Sequence, residues 1–306
     1  MKNKKIIVLA GGYSNEREVS LNTGKEVFKV LKKNYNAIII DPKRDIISRI
    51  RKFKPDIVFN ALHGRYGEDG YIQAILEKEK IKYTHSGVLS SSIAIDKNLS
   101  KKIFIKNKIL TPRSLKININ KNLRKKNLLN RVHKYLKFPV VLKPLNEGSS
   151  VGVYITQKKN FFLNLSRLKA YNEILIEKYI PGREIQAAIM GNKKLGAIEL
   201  IPKRKFYDYK AKYNKSAKTK HIMPANISKK NYSFVNNIAY NAHKLLKCRG
   251  VTRSDFRFYK NKFYLLELNT QPGMTSLSLV PEIAKFNNIE FSDLINWLIN
   301  DASLNK

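Results

Sequence analysis

The chain has 306 residues, 43% of them apolar, with 16 Tyr and 14 Phe, more than one simple core requires, and it points to two or three domains. Its single cysteine, Cys248, excludes an internal disulfide framework and a cysteine-based zinc site, and fits a reducing compartment. The formal charge of +37, from 60 Lys+Arg against 23 Asp+Glu, suits a polyanion partner, yet Lys, Asn and Ile rise together, as in residues 116–122, and their shared AT-rich codons load a surface with lysine without any partner.

In chain order, residues 4–10 (KKIIVLA) read as a buried strand, and Gly11-Gly12 as a tight turn. The apolar run is too short for a signal peptide, and no run reaches the ~20 apolar residues of a membrane span, so a soluble, cytoplasmic chain is expected. Ser14 or Asn15 is expected to cap a helix from about Arg17 to Lys33. The glycine spacing is not GxGxxG, so this is no dinucleotide fingerprint. Glu16 at the helix start reads either as a first-turn charge or as a binder of a substrate ammonium group, because open α/β sheets bind ligands beyond their strand ends. Residues 37–41 and 55–62 read as further strands, the latter ending in HGRYGEDG (63–70), a glycine-rich charged loop that carries His63. With a helix from Tyr71 to Lys80 and a short strand at 82–85, the alternation predicts a parallel α/β domain over residues 1 to about 95.

Asp96-Lys97 opens a helix within a stretch, residues 97–146, that holds fifteen basic residues and no acidic one. Residues 137–144 read as a strand ending in Lys143, followed by the small-residue loop LNEGSSVGV (145–153), which suits either an ordinary hairpin turn or a loop covering phosphates. It is not a P-loop. Strands are expected at 173–180, 185–190 and 195–200. From Lys203 to Pro224 the periodicity stops, and Tyr207, Tyr209 and Tyr213 lie among lysines, the composition of a lid over an anionic substrate or of a nucleic-acid surface. Helices are expected at about 231–247 and 291–300.

The stretch from Val251 to Pro281 carries the most chemistry. Two alternating runs joined at Lys260-Asn261-Lys262 read as a hairpin. Pairing Tyr259 with Phe263 sets Asp255 opposite Glu267 and Arg253 opposite Asn269. Two facing carboxylates destabilise a sheet unless lysines or a cation neutralise them. Two carboxylates and an amide oxygen are hard ligands that suit Mg²⁺ carried by phosphate. The turn-rich loop that follows offers the Gly273 N–H and, at Ser278, a candidate anion site.

The motifs GGYSNEREVSLNTG, ALHGRYGEDG, KPLNEGSSVGV, IEKYIPGRE, FYDYKAKY, TRSDF and LLELNTQPGMTSLSLVP, in this order, resemble those of the D-alanine–D-alanine ligase family of ATP-grasp enzymes over essentially the whole chain. The resemblance implies an N-terminal parallel α/β (Rossmann-like) domain at 1–95, a central ATP-grasp subdomain at 96–183, and a C-terminal one at 184–306 with a lid loop at 203–224. It implies that Glu16, with His63 nearby, binds the ammonium group of the first D-alanine, and that Lys97 and Lys143 hold nucleotide phosphates. Glu177, Lys178, Ile180 and Glu184 would form the adenosine pocket, and Glu147, Ser149, Ser150 and Val151 the phosphate-covering loop. Ser149, Tyr213 and Glu16 would form a hydrogen-bonded triad, with Lys212 beside Tyr213. Asp255, Glu267 and Asn269 would be the magnesium ligands, Arg253 and Gly273 the oxyanion stabilisers, and Ser278 and Leu279 the site for the second substrate's carboxylate. The implied partners are ATP, D-alanine and two Mg²⁺ ions, replaceable by Mn²⁺. No membrane or specific nucleic acid is implied, and a homodimer is left open. Two other readings stand beside it: a different ATP-grasp carboxylate–amine ligase, and a basic nucleic-acid-binding protein using residues 97–146. Gln271 and Leu277 sit where the family varies.

Overall fold

The computed structural model describes residues 4–42, 45–119, 124–148, 151–202, 219–275 and 278–304. Three sheets organise it. The first is parallel, with β1 (Lys5–Leu9), β2 (Asn36–Ile40), β3 (Ile57–Asn60) and β4 (Lys82–Tyr83) in the order β2-β1-β3-β4. The helices α1 (Arg17–Leu31), α2 (Ile46–Phe53) and α3 (Tyr71–Lys78) cross between its strands. β1 is apolar on both sides because both are covered, as parallel sheets require. Ile7 and Leu9 pack against α2 and α3 through Ile46, Ile50, Ile72 and Leu76, whereas Ile6 and Val8 pack against α1 through Val27 and Leu31.

That second face is not covered by residues 1–95 alone. The two C-terminal helices, α9 (Leu279–Phe286) and α10 (Phe291–Asp301), place Val280, Ile283, Leu294, Ile295 and Leu298 in the same cluster. Ser303 and Tyr83 then exchange backbone hydrogen bonds of 3.3 and 3.4 Å.

After α4 (Val88–Ile95) and α5 (Lys97–Lys106), the antiparallel second sheet runs β5-β8-β6-β7, from β5 (Ser114–Asn118), β6 (Val140–Pro144), β7 (Tyr154–Thr156) and β8 (Glu173–Lys178). α6 (Lys125–Leu136) and α7 (Phe161–Ser166) cover it. β5 and α6 lie in the basic stretch that sequence reading left unassigned. α6 docks through Leu128, Val132 and Leu136, spaced four apart, so its lysines fall on the other faces.

The third sheet runs β11-β10-β9-β12-β13, from β9 (Arg183–Met190), β10 (Lys193–Ile201), β11 (Lys220–Ile222), β12 (Val251–Tyr259) and β13 (Lys262–Asn269). α8 (Lys229–Leu245), capped by the Ser228 side chain, covers one face together with Phe104 of α5. The other face packs in part against α9 and α10 through Ala188, Met190, Ile198 and Val251, and in part carries Arg253 and Asp255 at the candidate site.

Three expectations are corrected. Neither Ser14 nor Asn15 caps α1: Glu16 occupies the N-cap position, and Ser14 Oγ instead accepts from the Glu16 N–H at 3.1 Å and donates to the His63 carbonyl at 2.5 Å. The loop expected over 203–224 ends in a strand, because β11 pairs with β10 from Lys220 to Ile222. The hairpin closes through a two-residue turn, Lys260-Asn261, both at positive φ, rather than through three residues. A bulge between Asp255 and Phe256 absorbs the extra residue.

Candidate active site

Beyond the bulge the expected register holds: Asp255 lies opposite Glu267 and Arg253 opposite Asn269. Asp255 is buried, and the Arg253 guanidinium meets both its oxygens, at 2.7 and 3.0 Å. Lys97 Nζ lies 3.4 Å from Glu267 Oε2. The two facing carboxylates are thus each met by a cation, Asp255 by Arg253 of its own strand and Glu267 by Lys97 of α5. Asn269 completes the face, its Oδ1 accepting from the Gln271 N–H at 2.8 Å with a second lone pair left over. Among the described residues no group of three His, Cys, Asp or Glu is arranged to hold a metal ion. A cation here would need ligands from a bound phosphate as well as from Asp255, Glu267 and Asn269.

Two pockets meet at this hairpin and share Lys97, Glu147 and Glu267 as a common wall. The first, open to solvent, is lined by Glu16, His63, Glu68, Gly148, Arg253, Asn269 and Gly273. Glu16 is buried, and its carboxylate reaches two loops: a Cβ added to Gly64 or Gly148 would come within 2.9 or 2.8 Å of Glu16 Oε2. His63 is buried between Glu68, whose Oε1 is 2.9 Å from Nδ1, and Thr23, whose hydroxyl is 3.2 Å from Nε2. Burial disfavours the imidazolium, but the hydrogen bond and charge of Glu68, with Glu16 behind it, outweigh burial and raise the His63 pKa. Ser278 stands behind the wall as the N-cap of α9, its Oγ accepting from the Thr275 N–H at 3.1 Å and lying 3.0 Å from a Cβ built on Gly273. Leu279, the first residue of that helix, is buried in the core.

The second pocket, open to solvent, is lined by Val151, Glu177, Lys178, Ile180 and Glu184, together with Lys143, Asp255 and Arg257. This is the set expected to hold a nucleotide, and apolar side chains of Val141, Val153 and Leu266 line it beside the cations. Glu184 is held by Arg257 at 3.3 Å. Lys178 Nζ donates to the Lys137 carbonyl at 3.3 Å. Lys97 Nζ donates to the Glu147 carbonyl at 2.6 Å, tying the start of α5 to the loop after β6. The Asp96 side chain caps α5 and fixes that start, accepting from Asn98 and Leu99 N–H at 2.8 and 2.9 Å. Burial, then the charge of Glu16, raises the Glu147 pKa.

Sequence reasoning missed three groups. Lys101, four residues beyond Lys97 on α5, is buried and reaches Glu177 Oε1 at 2.8 Å, while Lys143 reaches Oε2 at 2.8 Å. Burial would raise the Glu177 pKa, but the two ammonium groups lower it. Burial pushes Lys101 down to about 8 against the pull of Glu177. Both Glu177 oxygens are therefore engaged by lysines, which leaves Lys143 anchored at the pocket's edge. The other missed groups are Glu68, which orients His63, and the Asn60–Gln271 amide pair beneath the first pocket. The helical i, i+4 spacing could have singled out Lys101. No sequence signal marks the amide pair, whose members are 211 residues apart. Cys248 lies apart from this site, and burial pushes its thiol up to about 12, in keeping with a packing role. Ser149, Ser150, Lys212 and Tyr213 lie outside the described residues, as do Tyr207 and Tyr209.

No helix among the described residues is long and apolar enough to cross a membrane. Residues 113–300 match the family described as "D-ala D-ala ligase C-terminus". Over 304 residues the chain is 63% identical to the D-alanine–D-alanine ligase of Pelagibacter ubique, covering 99% of each sequence. It is 44% identical over 307 residues to that of Wolbachia pipientis wMel, covering 98% of this chain and 95% of the relative. Among solved structures, the D-alanine–D-alanine ligase from Bacillus anthracis superposes with a TM-score of 0.86 at 36% identity, covering 97% of both chains. The same enzyme complexed with ATP gives 0.84 at 31% identity, again with 97% of both covered. Motifs, fold and full-length similarity agree, and the chain belongs to the D-alanine–D-alanine ligase family.

Proposed function

We propose that this chain joins two D-alanines into D-alanyl-D-alanine at the expense of ATP, supplying a peptidoglycan precursor in the cytoplasm. The observation that carries the reading is the pair of adjoining pockets with a shared wall of Lys97, Glu147 and Glu267. One has the cations and the apolar side chains a nucleotide needs; the other has carboxylates for an ammonium group beside an arginine and a glycine N–H.

A carboxylate is a poor acyl donor. In the first step an oxygen of the first D-alanine's carboxylate attacks the γ-phosphorus of ATP and ADP leaves, giving an acylphosphate. Lys97 and Lys143 offset charge on the transferred group. Asp255, Glu267 and Asn269 would hold Mg²⁺, which would supply positive charge against the phosphates; the hard oxygen donors on one face fit it. In the second step the amine of the second D-alanine attacks the carbonyl carbon, phosphate leaves, and the amine loses a proton. Arg253 and the Gly273 N–H stabilise the oxyanion that develops. Glu16, with His63 and Glu68, holds the first ammonium group, and Ser278 and Leu279 receive the second carboxylate. Residues 1–95, 96–183 and 184–306 are the three units that bring these walls together.

Purified protein with ATP and Mg²⁺ should release ADP and phosphate in the presence of D-alanine and yield the dipeptide, and should do neither with L-alanine or D-lactate. No D-alanine-stimulated ADP release would sink the proposal.

A further inference from the structure

Two loops from distant parts of the chain both line the first pocket. One follows β3 and carries His63 and Glu68; the other follows β13 and carries Gly273. A buried side chain joins them. Gln271 is 2% exposed, its Nε2 donates to the carbonyl of Leu62, and its Oε1 accepts from Asn60 Nδ2 at 2.8 Å. Asn60, fully buried, also donates to the Gly67 carbonyl at 2.9 Å, and its Oδ1 accepts from the Leu62 N–H at 3.2 Å. Leu62 directly precedes His63, and Gly67 directly precedes Glu68. The amide orientations are forced: the carbonyls of Leu62 and Gly67 only accept, so both face nitrogens, which leaves Gln271 Oε1 for Asn60. The backbone N–H of Gln271 is in turn held by Asn269 Oδ1 at 2.8 Å.

We propose that Gln271 is a positioning residue for the first amino-acid subsite. Its side-chain amide sets the spacing between the Gly273 N–H on one loop and the His63–Glu68 pair on the other. Packing alone asks for no amide here, since leucine or methionine would fill similar space. The amide supplies a donor to the Leu62 backbone and an acceptor for the Asn60 side chain, which itself holds the Gly67 backbone, so both sides act on the loop that carries site residues. Neither of its side-chain partners, Asn60 and Leu62, lines the nucleotide pocket, so loss of the side-chain amide falls on the amino acid before ATP. The inference rests on the chain being a D-alanine ligase.

The test uses Gln271→Leu and Gln271→Met beside the wild type, whose D-alanine-dependent ADP release checks the parent reading separately. For Gln271→Leu the KM of the D-alanine bound first should rise roughly tenfold, while the Kd of a non-hydrolysable ATP analogue stays within about twofold. Gln271→Met keeps the unbranched length and loses both the donor to Leu62 and the acceptor for Asn60, so it should show the same split. A purely structural role would lower thermal stability and weaken both substrates together. Wild-type KM in either variant, or equal losses for ATP, overturns the proposal while the parent reading stands. An inactive wild type overturns both. Should Gln271→Leu not fold, the KM-against-Kd split of Gln271→Met decides.

Discussion

Replacing Lys101 by methionine isolates the charge beneath the nucleotide pocket. Methionine follows the same path through the helix face without the ammonium group. The change removes one of two cations on Glu177, which is 3% exposed, and the donor to the Pro112 carbonyl at 3.1 Å. Removing one partner of a buried pair costs about 3–5 kcal/mol. Because Lys143 keeps its 2.8 Å contact with the other oxygen, the low end applies, about 3 kcal/mol. For a chain of this size that corresponds to a fall in Tm of roughly 6 °C or more. Function should change in parallel. Lys143 would then carry all of the Glu177 charge and offer less to a phosphate, so ATP should bind roughly tenfold more weakly, about 1.4 kcal/mol. The pH dependence has a definite sign. Lys101 titrates at about 8 in the folded chain against 10.5 ordinarily. Between those values the unfolded chain holds a proton that the folded chain has lost. Wild-type stability therefore gains from this group as pH rises through that window, and the gain is absent from Lys101→Met. Thermal denaturation across that range, with an ATP titration at neutral pH, measures all three. A variant within about 2 °C of wild type, with unchanged ATP affinity, would refute the account of Glu177 as a carboxylate dependent on two lysines.

Two further outcomes follow from the geometry. Glu267→Gln removes one of the two facing carboxylates, so D-alanine-dependent ADP release should fall on the order of 100-fold or more. Its nucleotide-free Tm should hold within about 2 °C, because the lost 3.4 Å contact with Lys97 is offset by relief of the like-charge pair; retained turnover would remove this residue from the cation site. Gly148→Ala brings a methyl group to 2.8 Å from Glu16 Oε2, at a backbone position outside the left-handed region. Glu16 must shift, and KM for D-alanine should rise roughly tenfold with ATP affinity unchanged; an ATP titration beside steady-state kinetics tells whether the two pockets respond separately.

Much of this was legible because its signals are local. Period-two alternation fixed which faces Asp255, Glu267 and Asn269 share, and the strand–glycine turn–helix sequence located Glu16 at a strand end. The bulge after Asp255 was not legible, since an inserted residue leaves the apolar pattern intact on either side. Nor was β5 or α6, because runs of Lys, Asn and Ile mask the four-residue spacing of Leu128, Val132 and Leu136. Lys101 was hidden by composition: among fifteen basic residues in one stretch, its i, i+4 spacing from Lys97 is a faint signal, and its role is plain only from what it touches. Gln271 escaped because its partner Asn60 is 211 residues away, and such pairings leave no periodic trace.

The packing of α9 and α10 on the first sheet has a consequence for how the chain is made. Ile6, Val8 and Phe59 leave the ribosome well before Ile283, Ile295 and Leu298, which help bury them. Until those residues emerge, the part of the face that α1 does not cover stays open to water and to other nascent chains, the condition that favours aggregation and chaperone capture. The wall that carries Glu16 and His63 therefore gains its full support only once residues 279–298 have been made. A chain stopped before residue 279 would lack both halves of the binding site's backing, although most of the pocket's own residues would already be present.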